Sequence, residues 1–269
     1  MQRVSVTTLN TFGGVINPSG LNSRYAAIAR YFIKSEVDVI NFQEVFTYYH
    51  LHLLLKSLKK RYPYHAFQNS YLGPKGGLVT FSKLPCKGRY ISYKRNFIPT
   101  TIKSSIELLT QRGALVTKVK NLNFTILNTH MTAVLNGDWS RKSKYYNELS
   151  SEIKQFHKIV ENAHKNGNVL LASGDFNIAK ASQLYKELIS YHSLVYPFKN
   201  SGVPTKHSSF PQTALKTNCV DYIFVFSNAK LYSIEKKKYV FTRKMALEHN
   251  KTGYVSDHIG LYVQIKLTA

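Results

Sequence analysis

The chain is 269 residues long, with 37 Lys plus Arg against 14 Asp plus Glu and a net charge of +23. That length can bury a large core with no linker-like stretch to divide it, so a single domain over residues 1–269 is expected, and the charge works against self-association, which favours a monomer. No fixed-period repeat, low-complexity tract or run of about 18 apolar residues occurs, which excludes a solenoid, a disordered chain and a helical membrane span. Nucleic acid, an anionic lipid surface and a polyanionic small molecule all fit the charge, as does a solvated basic face. Cys86 and Cys219 have no metal-binding spacing; free thiols are the ordinary expectation, and a single disulfide stays open.

Residues 1–10 alternate as a strand, with Val4, Val6, Thr8 and Asn10 on one face and Asn10 at the end. They lack the apolar core of a signal peptide, so the chain reads as soluble, peripheral to a membrane or secreted after processing. Gly13-Gly14 and Asn17-Pro18-Ser19-Gly20 form a loop, and residues 23–34 a helix capped by Ser23. The run V-D-V-I-N-F-Q-E-V is a second strand, with Val37, Val39 and Asn41 on one side and Asp38, Ile40, Phe42 and Glu44 on the other. Residues 51–58 form a helix stopped by Lys59-Lys60-Arg61 and Pro63. In Y-L-G-P-K-G-G-L-V-T-F-S-K-L-P, the turn residues Gly76 and Gly77 lead into a strand over 78–82; no phosphate-loop pattern is present.

Residues 90–93 form a short strand, and 113–120 with 123–128 a pair of strands joined by K-N-L-N, with His130 near the end of the second. One long helix is predicted over 138–166, with Leu149, Ile153, Phe156, Ile159, Val160 and Ala163 at threes and fours and Gly167 as its stop. The stretch V-L-L-A-S-G-D-F-N is a short buried strand ended by Gly174. Asp175 and Asn177, two apart, project together from that rigid end, where they serve chemistry or cap the next helix. A helix over 182–190, a Ser/Pro/Thr-rich loop and strands over 220–226, 231–241 and 260–267 follow, with Asp257 and His258 just before the last. Polar residues stand repeatedly at strand ends, and the order of elements predicts layers with helices outside and packed sheets inside, an α/β sandwich.

Asn10, F-Q-E-V around Glu44, T-H-M at His130, G-D-F-N at Asp175 and Asn177, V-D-Y-I at Asp221 and S-D-H at Asp257-His258 occur in one order. Together they resemble the endonuclease/exonuclease/phosphatase superfamily over nearly the whole chain. Within it, G-G-L-V-T-F-S-K-L-P is similar to a segment of the neutral sphingomyelinase-like, phospholipase C-type branch. The resemblance implies a four-layer α/β sandwich, two packed and mainly antiparallel sheets flanked by helices. It implies Mg²⁺, with Mn²⁺ as an alternative, held by Glu44 with Asn10 and Asp257. His258 would be the general base and Asp221 its orienting carboxylate. Asp175 would position the water, His130 would stabilise phosphorane charge or assist the leaving group, and Asn177 would hold a phosphate oxygen. Arg112, in Q-R-G-A-L-V, is either a phosphate ligand or a surface arginine before a strand.

The expected reaction is therefore hydrolysis of a phosphoester, with a phospholipid head group as first substrate class and an anionic or zwitterionic membrane as partner surface. For that, residues 191–198, with Leu194, Val195, Tyr196 and Phe198, either enter the lipid interface or pack in the core. The charge favours the alternative, an endonuclease on DNA or RNA. A phosphoinositide phosphatase fits less well, because Ile178 and Ala179 follow Asn177 and V-D-Y-I stands where that branch carries C-D-R-I. A non-enzymatic polyanion-binding module is opposed by the intact set Glu44, Asp175, Asn177, Asp221 and His258.

Overall fold

Alternation along the strands sorts side chains into layers. The computed structural model describes residues 2–14, 20–94, 110–164, 168–190, 194–201, 203–206, 219–227, 231–248 and 250–268. The strands are β1 (Gln2–Asn10), β2 (Val39–Gln43), β3 (Tyr64–Ala66), β4 (Val79–Ser82), β5 (Cys86–Ser92), β6 (Gly113–Val119) and β7 (Phe124–His130). They continue with β8 (Val169–Asp175), β9 (Leu194–Val195), β10 (Asp221–Phe226), β11 (Tyr232–Val240), β12 (Met245–Ala246), β13 (Thr252–Gly253) and β14 (Gly260–Leu267). Two six-stranded sheets result, ordered β11-β14-β1-β2-β4-β3 and β5-β6-β7-β8-β10-β9, beside the small pair β12-β13. Pairing is antiparallel except for β1 with β2 and β7 with β8.

Helices α1 (Leu21–Ile33) and α2 (Tyr48–Leu58) cover the first sheet, where Tyr25, Ile28, Phe32, Leu51 and Leu54 pack with Leu9, Ile40, Phe42 and Phe81. Helices α3 (Tyr146–Ala163) and α4 (Gln183–Ile189) cover the second, with Phe156 set edge-on to Phe176 and Phe226. The order helix, sheet, sheet, helix is the expected four-layer α/β sandwich. No helix among the described residues is long and apolar enough to cross a membrane. Cys86 and Cys219 are both free thiols.

Several boundaries differ from the sequence reading, each for a local reason. Gly20, in the left-handed region, rather than Ser23, opens α1. β2 starts at Val39 because the preceding Asp38 carboxylate is taken by the Ser5 amide at 2.9 Å and the Ser5 hydroxyl at 2.7 Å. α3 starts only at Tyr146, since residues 138–145 spend their polar groups on turns: the Ser140 amide bonds the Asp138 carboxylate at 2.9 Å. β7 extends to His130 and β8 to Asp175, so Gly174 lies within its strand instead of ending it. There it is obligatory, because a Cβ would fall 1.9 Å from the Thr129 carbonyl oxygen. The expected loop residues 17–19, the helix stop at Gly167 and the Ser/Pro/Thr-rich loop over 207–218 lie outside the described residues.

Between the sheets the filling changes along the strands. Val4, Val6 and Val39 meet an apolar interior, whereas Thr8, Asn41 and Gln43 meet polar partners. The Gln43 carboxamide donates to Asn128 Oδ1 at 2.7 Å, and Asn128 donates to the Phe42 and Val79 carbonyls at 3.0 and 3.2 Å. Asn41 donates to Ser173 across the same gap at 2.8 Å. This buried network, paired except at Gln43 Oε1, fixes how one sheet is placed on the other, and a slip would leave several more groups unpaired. Replacing Asn128 by Ala is expected to cost about 3 kcal/mol of folding free energy, measured by urea denaturation; an unchanged midpoint would remove the network from the account of sheet packing.

Candidate active site

Strand register assembles the polar residues. On the second sheet His130 of β7 pairs with Asp175 of β8, and Asp175 pairs with Asp221 of β10, which sets three titratable side chains in a row across adjacent strands. On the first sheet Asn10 is opposite Gln43, so Glu44 follows directly beside it. The pairing of β1 with β14 brings the preceding Asp257 and His258 to the same end. All but Glu44 are buried, and Glu44 is half-buried.

His258 Nδ1 donates to Asp221 Oδ2 at 2.8 Å, which fixes the ring and leaves Nε2 turned into the site, 3.7 Å from Asp175 and 3.9 Å from Asp257. His130 Nε2 lies 3.6 Å from the same Asp175 oxygen. The Asn10 carboxamide donates at 3.0 Å to Glu44 Oε1 and at 3.0 Å to Asp175 Oδ2, joining the two sheets. Ser256 completes the frame: its hydroxyl donates to the Asn10 carbonyl at 2.6 Å and accepts the His258 amide at 3.0 Å.

Crowded carboxylates dominate the electrostatics. Burial, reinforced by Asp221, pushes the Asp175 carboxyl up despite the nearby His258. Burial, with Glu44 and Asp221 adding, does the same to Asp257. Burial alone would lower His258, but Asp221, Asp257 and Asp175 outweigh it and raise the imidazole to about 9. His130 moves the other way: burial, then the charges of Arg112, His258 and Lys206, hold it well below the usual histidine range, so it is neutral. Buried like charges of this density favour a divalent cation, and the hard carboxylate oxygens of Glu44 and Asp257 are of the kind that suits one. Asn10 as placed turns its NH₂ toward the carboxylates and its oxygen toward the Phe12 amide at 3.0 Å, so ligation through oxygen requires the amide to rotate. A second donor set, Asp175, Asp221 and His258, has its ligand atoms within 4.8 Å of one another. A cation there would occupy the histidine that the first set leaves free.

Asn10, Glu44, Arg112, His130, Asp175, Asn177, Asp221, Asp257 and His258 all reach this region, though not always by the expected route. Simple alternation would turn Glu44 away from Asn10; Glu44 instead adopts φ 63°, in the left-handed region, which swings its carboxylate back. Gly13 makes room for this, since a Cβ there would fall 2.0 Å from the Glu44 carbonyl oxygen. Asn177 is not in a strand either: φ is 54°, its amide bonds Asp175 Oδ1 at 2.9 Å, and its side chain donates to the Met131 carbonyl at 2.9 Å. Arg112 is buried rather than a surface arginine, lying over Phe46 with Nη1 2.7 Å from His130 Nε2. Tyr196 and Phe198 are core residues, packed with Tyr222 and Tyr239, which leaves Val195 exposed and Leu194 half-buried; residues 191–193 lie outside the described set.

Three residues were not legible as part of the site. Lys206 makes a backbone bridge to His258; burial opposes its ammonium, but Asp175, Asp257, Asp221 and Glu44 prevail and push its pKa up. Nothing in P-T-K-H distinguishes it from a loop lysine. Arg24 is buried and ties the carbonyls of Thr11, Phe12 and Val255 together at 2.9 Å each, bracing the segments after Asn10 and before Asp257. Glu152 accepts from the Thr132 amide at 2.9 Å and hydroxyl at 2.7 Å, anchoring the chain beyond His130. Its one sequence signal is a carboxylate on the apolar side of a helix, next to Ile153.

The solved structures similar to this chain include SmcL, at 19% identity and TM-score 0.76 over 98% of this chain and 99% of that one. Sphingomyelinase C from Streptomyces griseocarneus aligns at 15% identity and TM-score 0.71, over 98% and 99% of the two chains. TDP2 of D. rerio, complexed with a single-strand DNA product, aligns at 15% identity and TM-score 0.70, over 99% and 100%. At such identities the likeness establishes the fold. No curated protein sequence matches the chain. The sequence pattern of the Endonuclease/Exonuclease/phosphatase family does match, over residues 7–258, and with the site residues lying inside that span, the chain belongs to this family.

Proposed function

We propose that the protein is a Mg²⁺-dependent phosphodiesterase that releases a phospholipid head group by in-line attack of water. The observation that carries this reading is the buried His258–Asp221 pair, 2.8 Å apart, opening onto Asp175 beside the Glu44–Asn10 contact. His258 Nε2 takes the proton of the attacking water, and Asp221 holds the ring in the required tautomer and stabilises the imidazolium. Asp175 orients that water. Neutral His130, backed by Arg112, donates to phosphoryl oxygen or the leaving group, and Lys206 offsets charge on the same face. Asn177 fixes the chain between Asp175 and Met131 and offers its carboxamide to a phosphate oxygen. A divalent cation held by Glu44, Asp257 and Asn10 would neutralise charge on a non-bridging phosphate oxygen.

The lipid class is favoured by the G-G-L-V-T-F-S-K-L-P segment, and sphingomyelinase C gives it a precedent on this fold. The charge of +23 supports nucleic acid as the rival substrate. Purified protein with Mg²⁺ is expected to release phosphocholine from sphingomyelin vesicles and to stop on addition of chelator. Robust cleavage of plasmid or RNA with inert vesicles would replace the lipid reading by the nuclease one.

His258→Ala, Glu44→Ala and Asp221→Asn are each expected to lower kcat on a soluble diester, bis(4-nitrophenyl) phosphate, by about 100-fold or more while circular dichroism stays native. Wild-type turnover in any of them would overturn the role given to that residue. The His258 imidazole, followed by NMR without cation, should titrate near 9 and shift downward as Mg²⁺ is added. Because its folded pKa is raised, its contribution to stability is complete below the unfolded value of 6.5 and is lost as pH rises through about 9. An imidazole indifferent to Mg²⁺ would place the cation elsewhere.

A further inference from the structure

Tyr71 is 97% exposed and Leu72 49% exposed, side by side at the tip of a turn. Looseness does not account for this exposure. The turn is closed by a bridge between Asn69 and Pro74, by the Ser70 amide on the Gly73 carbonyl at 2.9 Å and by the Lys75 amide on the Gln68 carbonyl at 2.7 Å. From the side, Tyr48 grips it: its amide donates to the Leu72 carbonyl at 3.1 Å and its hydroxyl to the Ser70 carbonyl at 2.8 Å. Tyr48 is itself 43% exposed and widens the apolar face. A held turn that presents aromatic and aliphatic groups to water marks a contact surface.

That surface is connected to the candidate site through Phe46. Gly73 packs so tightly on the segment after Glu44 that a Cβ would fall 2.5 Å from the Phe46 carbonyl oxygen. The Phe46 ring in turn lies 6.2 Å from the His130 ring and 5.9 Å from the Arg112 guanidinium. We propose that the turn over residues 69–74 is a membrane-docking tip, with Tyr71 and Leu72 entering the interface of a phospholipid bilayer and setting the site against the head groups.

The chemistry of the tip selects lipid over nucleic acid. Residues 69–74 read N-S-Y-L-G-P and carry no charge, whereas binding along a nucleic acid strand requires cations at the phosphates. Leu72 has no π face on which a base stacks. Tyrosine, apolar along the ring and polar at its end, suits the head-group region, and an aliphatic neighbour adds depth. Lys75 follows immediately behind, its ammonium 5.6 Å from the centre of the Tyr90 ring, and the net charge of +23 complements an anionic leaflet. This assignment takes over the interfacial role that the sequence suggested for residues 191–198, where Tyr196 and Phe198 belong to the core.

The inference rests on the lipid reading above, and its test separates the two. Wild type and the double variant Tyr71→Ser/Leu72→Ser are compared by co-sedimentation with phosphatidylcholine vesicles, with and without phosphatidylserine, and by hydrolysis of soluble bis(4-nitrophenyl) phosphate. Vesicle affinity is expected to fall by about tenfold or more in the variant, with soluble-diester hydrolysis unchanged. In a Tyr71→Trp variant, read against the single native tryptophan, Trp139, the added fluorescence should shift to the blue on vesicles. Equal vesicle binding by wild type and double variant, or loss of oligonucleotide binding in place of vesicle binding, would overturn the docking role. Inactivity of wild type on the soluble diester would instead strike the proposed chemistry, with vesicle binding still reporting on the tip.

Discussion

One carboxamide joins the two halves of the sandwich at the point where chemistry is expected. Asn10, on the first sheet, donates at 3.0 Å to Glu44 of its own sheet and at 3.0 Å to Asp175 of the other. Neither carboxylate tolerates burial beside further negative charge without a donor. The contact therefore holds only if the sheets are stacked in one register, and the deeper bonds of Gln43 to Asn128 and Asn41 to Ser173 impose that register. The polar seam is thus continuous from the middle of the molecule to its open end. It uses the face of β1 on which apolar residues give way to polar ones.

Around that contact the protein balances charge instead of avoiding it. Asp221, Asp257 and Asp175 together raise the pKa of His258 against its burial, while burial, reinforced by the neighbouring carboxylates, moves Asp175 and Asp257 upward. Lys206 stands on the same side as partial compensation, drawn from a segment far from any motif. Arg24 works at a different level: its guanidinium is spent on three carbonyl oxygens, so it holds backbone in place. Arg112 and His130 form a second cationic and imidazole pair on the opposite flank, where the lowered pKa of His130 keeps the ring neutral. A site with a strongly basic imidazole on one side and a neutral, weakly basic one on the other is suited to taking a proton at the first and donating a hydrogen bond at the second.

At the site, left-handed backbone serves to aim side chains. Glu44 and Asn177 both have positive φ without being glycine, at 63° and 54°. Glycines fit around them: Gly13 and Gly77 lie against the backbone of Glu44, and Gly174 against Thr129. The packing that permits the strain also links the site to its surroundings, since Gly77 and Gly73 both rest on the segment containing Phe46, against which the turn bearing Tyr71 packs.

The sequence by itself determined the layer order, most of the strands and the residues at their ends, because alternation and apolar periodicity are local properties read along a few residues. Asn10, Glu44, His130, Asp175, Asp221, Asp257 and His258 could all be named from strand ends and short motifs. Only the tertiary structure decided how they meet. The Asn10–Asp175 bond spans 165 positions, and the inward turn of Glu44 comes from a left-handed residue that contradicts the strand pattern before it. Lys206, Arg24 and Glu152 carry no local mark, because what makes them matter is the set of carboxylates or carbonyls brought to them by distant strands. The same reason separates Tyr196 and Phe198 from Tyr71 and Leu72. Their apolar character is equal in the sequence, but the sheet beneath the first pair buries it, and a turn closed on itself leaves the second pair in water.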